Sequence, residues 1–278
     1  MLRSQITEFA VTLVREAGQL IRSIERPRHT ESKSSPADLR TSTDITVEKF
    51  LAERIRGSYP DHQIVGEEGT FNSPIVMELD QSVWFVDPVD GTTNYFRDLP
   101  LFGCNIAFWA GGEILTAAIL DVAQDIVYWA EAGKGSWANS RRLAVSEVQH
   151  LAHGVLATGF PYDGAGNPDN NLAEFGALMP RTRAVRRIGC AGLDLAWVAS
   201  GRFDGYWEKN NGPWDWAAGA LLVKEAGGEV TTYDGRPWTP LEETILATNG
   251  RLHEILLGAI AGARLAAGLP RAPRTTSI

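Results

Sequence analysis

The sequence predicts a layered α/β fold, in which helices and mixed sheets form alternating layers. The 278-residue chain is 44% hydrophobic and 22% charged, which is typical of a globular protein with a large core. Its first half predicts two helices followed by a sheet, whereas strands and helices alternate in its second half. We therefore expect a single domain over 1–262, with sub-domains at about 1–150 and 151–262, and a flexible tail over 263–278.

Helical periodicity marks the start of the chain. Apolar residues over 6–24 recur at steps of three and four and indicate a helix that Pro27 ends. A polar segment over 28–43 predicts an exposed loop or a short hairpin, and a second amphipathic helix is expected over about 45–57. Short β-rich runs then predict strands at 63–65, 82–86, 105–109, 114–121 and 125–131.

A Gly/Ser/Asn-rich segment over 133–142, which is expected to be a turn, separates this sheet from the second half. Strands are then predicted at 155–158, 184–188, 203–208, 229–232 and 245–248. Helices are predicted at 172–179, 193–199, 214–226 and 252–260.

Composition argues against several classes of protein. The 26 basic and 34 acidic residues give a net charge of −8, whereas general nucleic-acid binders need a basic face to neutralise phosphates. No apolar run approaches the ~20 residues of a membrane span, and the N-terminus lacks the continuous apolar core of a signal peptide. Cys104 and Cys190 are too few for a disulfide framework or a structural zinc site, so we expect buried free thiols and a cytoplasmic location.

Carboxylates gather where predicted strands end, at Glu67, Glu68, Asp87 and Asp90. An apolar strand delivers Asp87 to the edge of the core, where an unpaired carboxylate is costly. Neighbouring carboxylates raise each other's pKa unless a cation lies between them, and oxygen ligands without histidine or cysteine suit a hard cation such as Mg²⁺. The alternative is that these aspartates only cap a helix or close a turn.

Gly91 and Thr92 follow this acidic pair directly. A glycine lets the backbone approach a ligand closely, and amides at the start of a helix point towards anions, so the segment suggests phosphoryl chemistry. A further carboxylate, Asp215, opens an Ala-rich helix, where it is either a capping acid or another metal ligand. The sequence contains none of the motifs of P-loop, dinucleotide-binding, zinc-protease or serine-hydrolase enzymes.

Four motifs in this order resemble those of the inositol monophosphatase family of Mg²⁺-dependent, lithium-sensitive phosphatases. The N-terminal pair is Lys-Ser-Ser-Pro-Ala-Asp-Leu-Arg-Thr-Ser-Thr-Asp at 33–44 and Gly-Glu-Glu at 66–68. The family signature is matched by Trp-Phe-Val-Asp-Pro-Val-Asp-Gly-Thr-Thr-Asn-Tyr at 84–95, and its C-terminal partner by Trp-Asp-Trp-Ala-Ala-Gly at 214–219. The resemblance extends from the first helix to about residue 260 and implies the sugar-phosphatase fold of that family.

The resemblance also implies the residues of the site, where a metal-activated water would attack the phosphate directly. The implied ligands of two to three Mg²⁺ ions are Glu67, Asp87, Val89 (through its carbonyl), Asp90 and Asp215. The implied catalytic residues, which would orient and deprotonate the water, are Asp44, Thr92 and Glu67. The implied substrate contacts are Asp90, Gly91, Thr92, Gly189, Cys190, Ala191 and Glu208.

The implied activity is hydrolysis of myo-inositol monophosphate, or of other small polyol phosphates, to the alcohol and inorganic phosphate. Glu208 is a hydroxyl acceptor suited to a polyol, and the sequence shows no additional basic cluster for a second phosphate. Histidinol phosphate, 3′-phosphoadenosine 5′-phosphate, fructose 1,6-bisphosphate and NADP are alternative substrates, and a regulatory protein that keeps the fold is a further alternative. The resemblance implies a homodimer, and we expect no nucleic-acid or membrane partner.

Overall fold

The structure is a computed structural model that describes residues 4–27, 29–69, 81–164 and 166–271. Its helices are α1 (Gln5–Ser23), α2 (Ser42–Ser58), α3 (Thr92–Phe96), α4 (Leu172–Leu178), α5 (Ala191–Ala199), α6 (Pro213–Glu225) and α7 (His253–Ala266). Its strands are β1 (Glu31–Ser32), β2 (Leu39–Arg40), β3 (Gln63–Gly66), β4 (Ser82–Asp90), β5 (Gly103–Ala110), β6 (Glu113–Asp121), β7 (Ile126–Glu131), β8 (Gly135–Ala138), β9 (Arg141–Arg142), β10 (Val155–Thr158), β11 (Ala184–Arg186), β12 (Gly205–Lys209), β13 (Glu229–Thr231) and β14 (Thr244–Thr248).

The strands form two large sheets and one small hairpin. The first sheet has the order β3-β4-β5-β6-β7-β8-β9, in which β3 and β4 are parallel and all later pairs are antiparallel. The second has the order β11-β10-β12-β14-β13, in which β10 runs parallel to both neighbours and β14 runs antiparallel to both of its own. The hairpin pairs β1 with β2 within the segment predicted to be a loop or hairpin.

The described elements stack in five layers. Helices α1 and α2 pack on one face of the seven-stranded sheet, and α5 and α6 pack on its other face. The five-stranded sheet covers the far side of α5 and α6, and α4 and α7 cover the outer face of that sheet. This α/β/α/β/α arrangement confirms the predicted fold class.

Strand β4 is buried on both of its faces. Val83 and Phe85 belong to the core shared with α5 and α6, whereas Trp84 and Val86 belong to the core under α1 and α2. A strand buried on both faces needs a continuous apolar run, which the sequence supplies. The strand continues beyond its predicted end at residue 86 to Asp90, with a register shift against β5. It therefore carries two acidic residues into the interior.

The predicted elements are all present within the described residues, and three segments differ from expectation. The expected turn over 133–142 contains β8 and β9, which continue the seven-stranded sheet beyond β7. Helix α3 was not predicted, since five residues are too few to show a helical period. Helix α7 continues beyond its expected end at residue 260 to Ala266, so the first part of the expected tail is helical. The rest of that tail from 272 lies outside the described residues, and the division into sub-domains stays a prediction.

Two further sequence expectations concern burial. Cys104 and Cys190 are buried and free, as predicted. Within the described ranges, none of the helices combines the length and the apolar character needed to cross a membrane.

The end of α7 is held by a buried ion-pair network. The Arg264 side chain is fully buried, and its two terminal nitrogens donate to both oxygens of Asp169 at 2.8 Å. One of these nitrogens also donates to Glu174 at 2.6 Å, and the Lys209 ammonium lies 2.6 Å from Asp169. The network thereby ties α7 to α4, to β12 and to the segment that precedes α4.

We expect Arg264→Ala to lower the free energy of unfolding by about 3–5 kcal/mol, because it leaves the buried Glu174 carboxylate without its cation and removes one of the two cations that hold Asp169. Urea denaturation followed by circular dichroism measures the change. Arg251→Ala is the matched control, since that exposed arginine lies 3.5 Å from the exposed Glu147. It should cost less than about 1 kcal/mol. Equal destabilisation by the two substitutions would show that the network contributes nothing specific.

Candidate active site

Three carboxylates from two separate elements converge at one point. Asp87 and Asp90 come from the end of β4, and Asp215 comes from the first turn of α6. One carboxylate oxygen from each lies within 4.8 Å of the others. Asp87 and Asp90 are buried and Asp215 is half-buried. The structure therefore brings together three of the carboxylates that the sequence singled out as metal ligands.

This convergence is electrostatically unfavourable in the absence of a cation. Burial, followed by the charges of Glu67, Asp90 and Asp215, raises the pKa of Asp87 well above its ordinary value. Burial and neighbouring carboxylates do the same to the pKa of Asp215. Burial also raises the pKa of Glu67 to about 7, although the Lys33 ammonium opposes this shift. Such a set of carboxylates favours either protons or a bound cation.

The donor set fits a hard divalent cation. Asp87 Oδ2 is buried and has no hydrogen-bond partner among the residues that the structure describes, while Oδ1 accepts from the Val89 amide at 3.1 Å. A buried carboxylate oxygen without a partner is costly, and a metal ion would satisfy it. The ligands that the three aspartates offer are all oxygens, the type that Mg²⁺ prefers.

Asp90 differs from Asp87 because its oxygens are already engaged. Its Oδ1 accepts from the Ala191 amide at 3.0 Å, and its Oδ2 accepts from the Gly192 amide at 2.6 Å. The Asn105 side chain donates to the same Oδ2 at 2.9 Å. These donors oppose the rise in its pKa that burial causes. Asp90 therefore connects the end of β4 to the start of α5.

Glu67 lies just after β3 and is paired with a cation from the N-terminal motif. The Lys33 ammonium donates to Glu67 at 2.7 Å and to Glu68 at 2.9 Å. Glu67 is not one of the three carboxylates whose oxygens lie within 4.8 Å of one another. Its charge nevertheless contributes to the raised pKa values of Asp87 and Asp215, so it lies close to that group.

Asp44 and Thr92 form a hydrogen-bonded pair beside the acidic cluster. The Thr92 hydroxyl lies 2.9 Å from Asp44 Oδ1 and 3.1 Å from the Val89 carbonyl oxygen, and both can accept from it. Asp44 is the third residue of α2, and its Oδ2 accepts from the amide and the hydroxyl of Thr41 in a capping box. Burial raises the pKa of Asp44, and these hydrogen bonds oppose the shift. The helix cap fixes the orientation of Asp44 towards Thr92.

The turn between β4 and α3 requires glycine. Gly91 has a φ of +89°, and a Cβ there would lie 3.0 Å from the carbonyl oxygens of Leu101 and Gly189. A larger residue would therefore be strained and would push the 189–191 segment away. Gly91 thus allows the predicted phosphate-binding turn and the predicted substrate-binding segment to lie against each other.

One cavity is lined by Asp87, Asp90 and Asp215 together with Glu67, Gly91 and Thr92. On its far side lies Glu208, whose Oε2 accepts from the Tyr206 hydroxyl and from Asn211 at 3.0 Å. Burial raises the pKa of Glu208 to about 7. Gly159 gives Glu208 its space, since a Cβ at this position would lie 1.6 Å from Glu208 Oε1. The predicted metal ligands, Thr92 and the predicted substrate contacts all line the cavity, whereas Asp44 lies behind Thr92.

Sequence reasoning missed several residues of the cavity wall. Asp194, Arg187 and Tyr162 line the cavity, and Asn105 holds Asp90 from behind. Asn105 and Asp194 were detectable as polar residues inside apolar runs. Arg187 lies two residues before the predicted contact Gly189, whereas Tyr162 lies on a segment that carries none of the predicted site residues.

The chain is similar in sequence to known proteins. The chain matches the model of the inositol monophosphatase family over residues 2–264. It is 39% identical over 231 residues to an inositol-1-monophosphatase of Caulobacter vibrioides, covering 81% of this chain and 88% of that protein. It is 40% identical over 255 residues to Nus factor SuhB of Pseudomonas aeruginosa, covering 90% of this chain and 94% of that protein.

A solved structure agrees with these sequence matches. The inositol monophosphatase from Anabaena (Nostoc) sp. superposes with a TM-score of 0.81 at 36% identity and covers 96% of each chain. By sequence and by fold, the chain belongs to the inositol monophosphatase family.

Proposed function

We propose that the protein is a Mg²⁺-dependent phosphomonoesterase that hydrolyses myo-inositol monophosphate, and other small polyol phosphates, to the alcohol and inorganic phosphate. The observation that carries this proposal is the convergence of Asp87, Asp90 and Asp215, with one buried oxygen of Asp87 lacking a hydrogen-bond partner. The family match and the name of the Caulobacter relative support the choice of substrate.

The residues present can hold more than one cation. We assign Glu67, Asp87 and the Val89 carbonyl to one Mg²⁺, Asp87, Asp90 and Asp215 to a second, and Glu67 to a weaker third. When bound, the ions would lower the pKa of a coordinated water and neutralise charge on the phosphate oxygens. The Lys33 ammonium donates to Glu67 at 2.7 Å, so it competes with a metal ion for this carboxylate.

Asp44 and Thr92 are the groups placed to move a proton. The Thr92 hydroxyl can accept a proton from an attacking water while it donates its own to Asp44 Oδ1, 2.9 Å away. Burial raises the pKa of Asp44, which makes its carboxylate a stronger base than an exposed aspartate. The Thr41 donors hold the other oxygen of Asp44, so Oδ1 is the atom that would receive the proton.

The remaining wall of the cavity orients the substrate. We assign the amides of Gly91 and Thr92 to the phosphate oxygens and Glu208 to a hydroxyl of the polyol. Tyr206 and Asn211 fix one oxygen of Glu208 through donated hydrogen bonds, which limits its movement. A polar acceptor of this kind suits a hydroxylated ring. Lithium inhibition, a homodimer and a cytoplasmic location stay predictions.

Phosphate release from a panel of esters at saturating Mg²⁺, with and without millimolar lithium, tests the proposed function. The panel contains inositol 1-phosphate, glycerol 2-phosphate, histidinol phosphate, fructose 1,6-bisphosphate, 3′-phosphoadenosine 5′-phosphate and NADP. We expect the highest kcat/KM for inositol 1-phosphate and inhibition by lithium. Preference for another ester would show that the proposed substrate is wrong. No hydrolysis by folded, Mg²⁺-loaded protein would contradict the enzymatic proposal and favour a binding role.

We expect Asp87→Asn to lower kcat by at least ~10³-fold, because it removes a carboxylate shared by two assigned metal sites. Asparagine has nearly the same size, so the variant should fold, and thermal unfolding checks this. Asp61→Asn, at an exposed position, is the matched control and should leave kcat within about twofold. Near-normal turnover by Asp87→Asn would remove this residue from the mechanism.

A further inference from the structure

Asp194 is a buried carboxyl group for which the mechanism above has no use. It lies in the first turn of α5 and is 2% exposed. Among the described residues, no hydrogen-bond partner reaches its Oδ1. Asp194 also lines the cavity that contains Asp87 and Glu208. An unpartnered buried carboxylate oxygen at a cavity wall is costly unless a ligand supplies a donor.

Other groups on the same wall are already satisfied within the protein. The amides of Ala191 and Gly192 both donate to Asp90, at 3.0 and 2.6 Å. Asn105 donates to Asp90 at 2.9 Å. Asp90 and the Ala191 amide therefore already form hydrogen bonds within the protein, which limits those that they can form with a substrate hydroxyl. Asp194 on α5 and Glu208 on β12 are further acceptors that line the cavity.

Asp194 and Glu208 lie close enough to interact electrostatically. Burial is the largest cause that raises the pKa of Asp194, and the charges of Glu208 and Asp90 add to it. The charge of Arg187 opposes the shift. Glu208 is held in place by Tyr206 and Asn211. Two neighbouring carboxyl groups on rigid elements form a pair of acceptors, which suits a ligand with two adjacent hydroxyl groups.

We propose that Asp194 is a specificity-determining residue, which accepts a hydrogen bond from a hydroxyl of the polyol next to the hydroxyl bound by Glu208. The inference rests on the proposed function and deepens it, since it assigns a second hydroxyl acceptor to the cavity. It also explains why a charged residue occurs in the apolar run of α5, where a leucine would fill similar space. The ligand class is a phosphate ester with neighbouring hydroxyl groups.

The experiment compares two substrates in Asp194→Leu, which removes both oxygens at similar volume. For inositol 1-phosphate we expect KM to rise about tenfold, the upper size of the loss of one buried hydrogen bond. For phenyl phosphate, which has no hydroxyl groups, we expect kcat/KM to stay within about twofold. Asp194→Asn keeps one acceptor oxygen and should recover most of the lost affinity for inositol 1-phosphate.

The outcomes separate this inference from the proposed function. If the wild-type protein hydrolyses both esters and Asp194→Leu reduces both equally, Asp194 has only a structural role and the inference is wrong. If the wild-type protein hydrolyses phenyl phosphate but not inositol 1-phosphate, the proposed substrate is wrong and the inference fails with it. Should Asp194→Leu not fold, Asp194→Ala, which also removes both oxygens, is compared on the same two esters, and a loss confined to inositol 1-phosphate is again required.

Discussion

The repulsion between the carboxylates of Asp87, Asp90 and Asp215 is the constraint on which the site depends. Oxygens of these residues lie within 4.8 Å of one another, and two of the three side chains are buried. Like charges this close in a poorly solvated place raise each other's pKa, so the folded chain stores unfavourable energy there. When a divalent cation binds, its attraction to the three carboxylates outweighs the repulsion between them. Such binding stabilises the folded chain and explains how a stable fold tolerates the cluster.

The five-layer fold keeps these charges together. Strand β4 is buried on both faces and cannot move without disrupting two cores, while α6 is packed between the two sheets. Asp90 adds a direct connection, because it accepts hydrogen bonds from the first amides of α5. Lys209 directly follows Glu208 in β12. It pairs with Asp169, which also pairs with Arg264, and this network holds that end of the strand. The proposed metal ligands and substrate contacts therefore lie on elements that pack against one another.

Much of the fold was predictable from the sequence, because periodicity predicted the helices and strands. The acidic motifs also predicted the carboxylates that converge at Asp87, Asp90 and Asp215. The signal for Asp87 and Asp215 is local, because each is an acid in an apolar or helix-starting context. The contact of Asn105 with Asp90 can be predicted only when the pairing of β4 with β5 is known. The burial of Arg264 can be predicted only when α7 is known to extend to Ala266. From the sequence alone, an arginine in an Ala-rich C-terminal segment is predicted to be exposed, because its buried partners are not known. Long-range contacts of this kind leave no local pattern.

Calorimetric titration of Mg²⁺ into metal-free protein at pH 5.5 and pH 8 tests the central claim most directly. The carboxylate pKa values are raised, that of Glu67 to about 7, so protons occupy the cluster at the lower pH and must be displaced. We therefore predict binding that is roughly tenfold or more tighter at pH 8, with protons released on binding. No binding of Mg²⁺ to folded protein at pH 8, or equal affinity at the two pH values, would contradict the account.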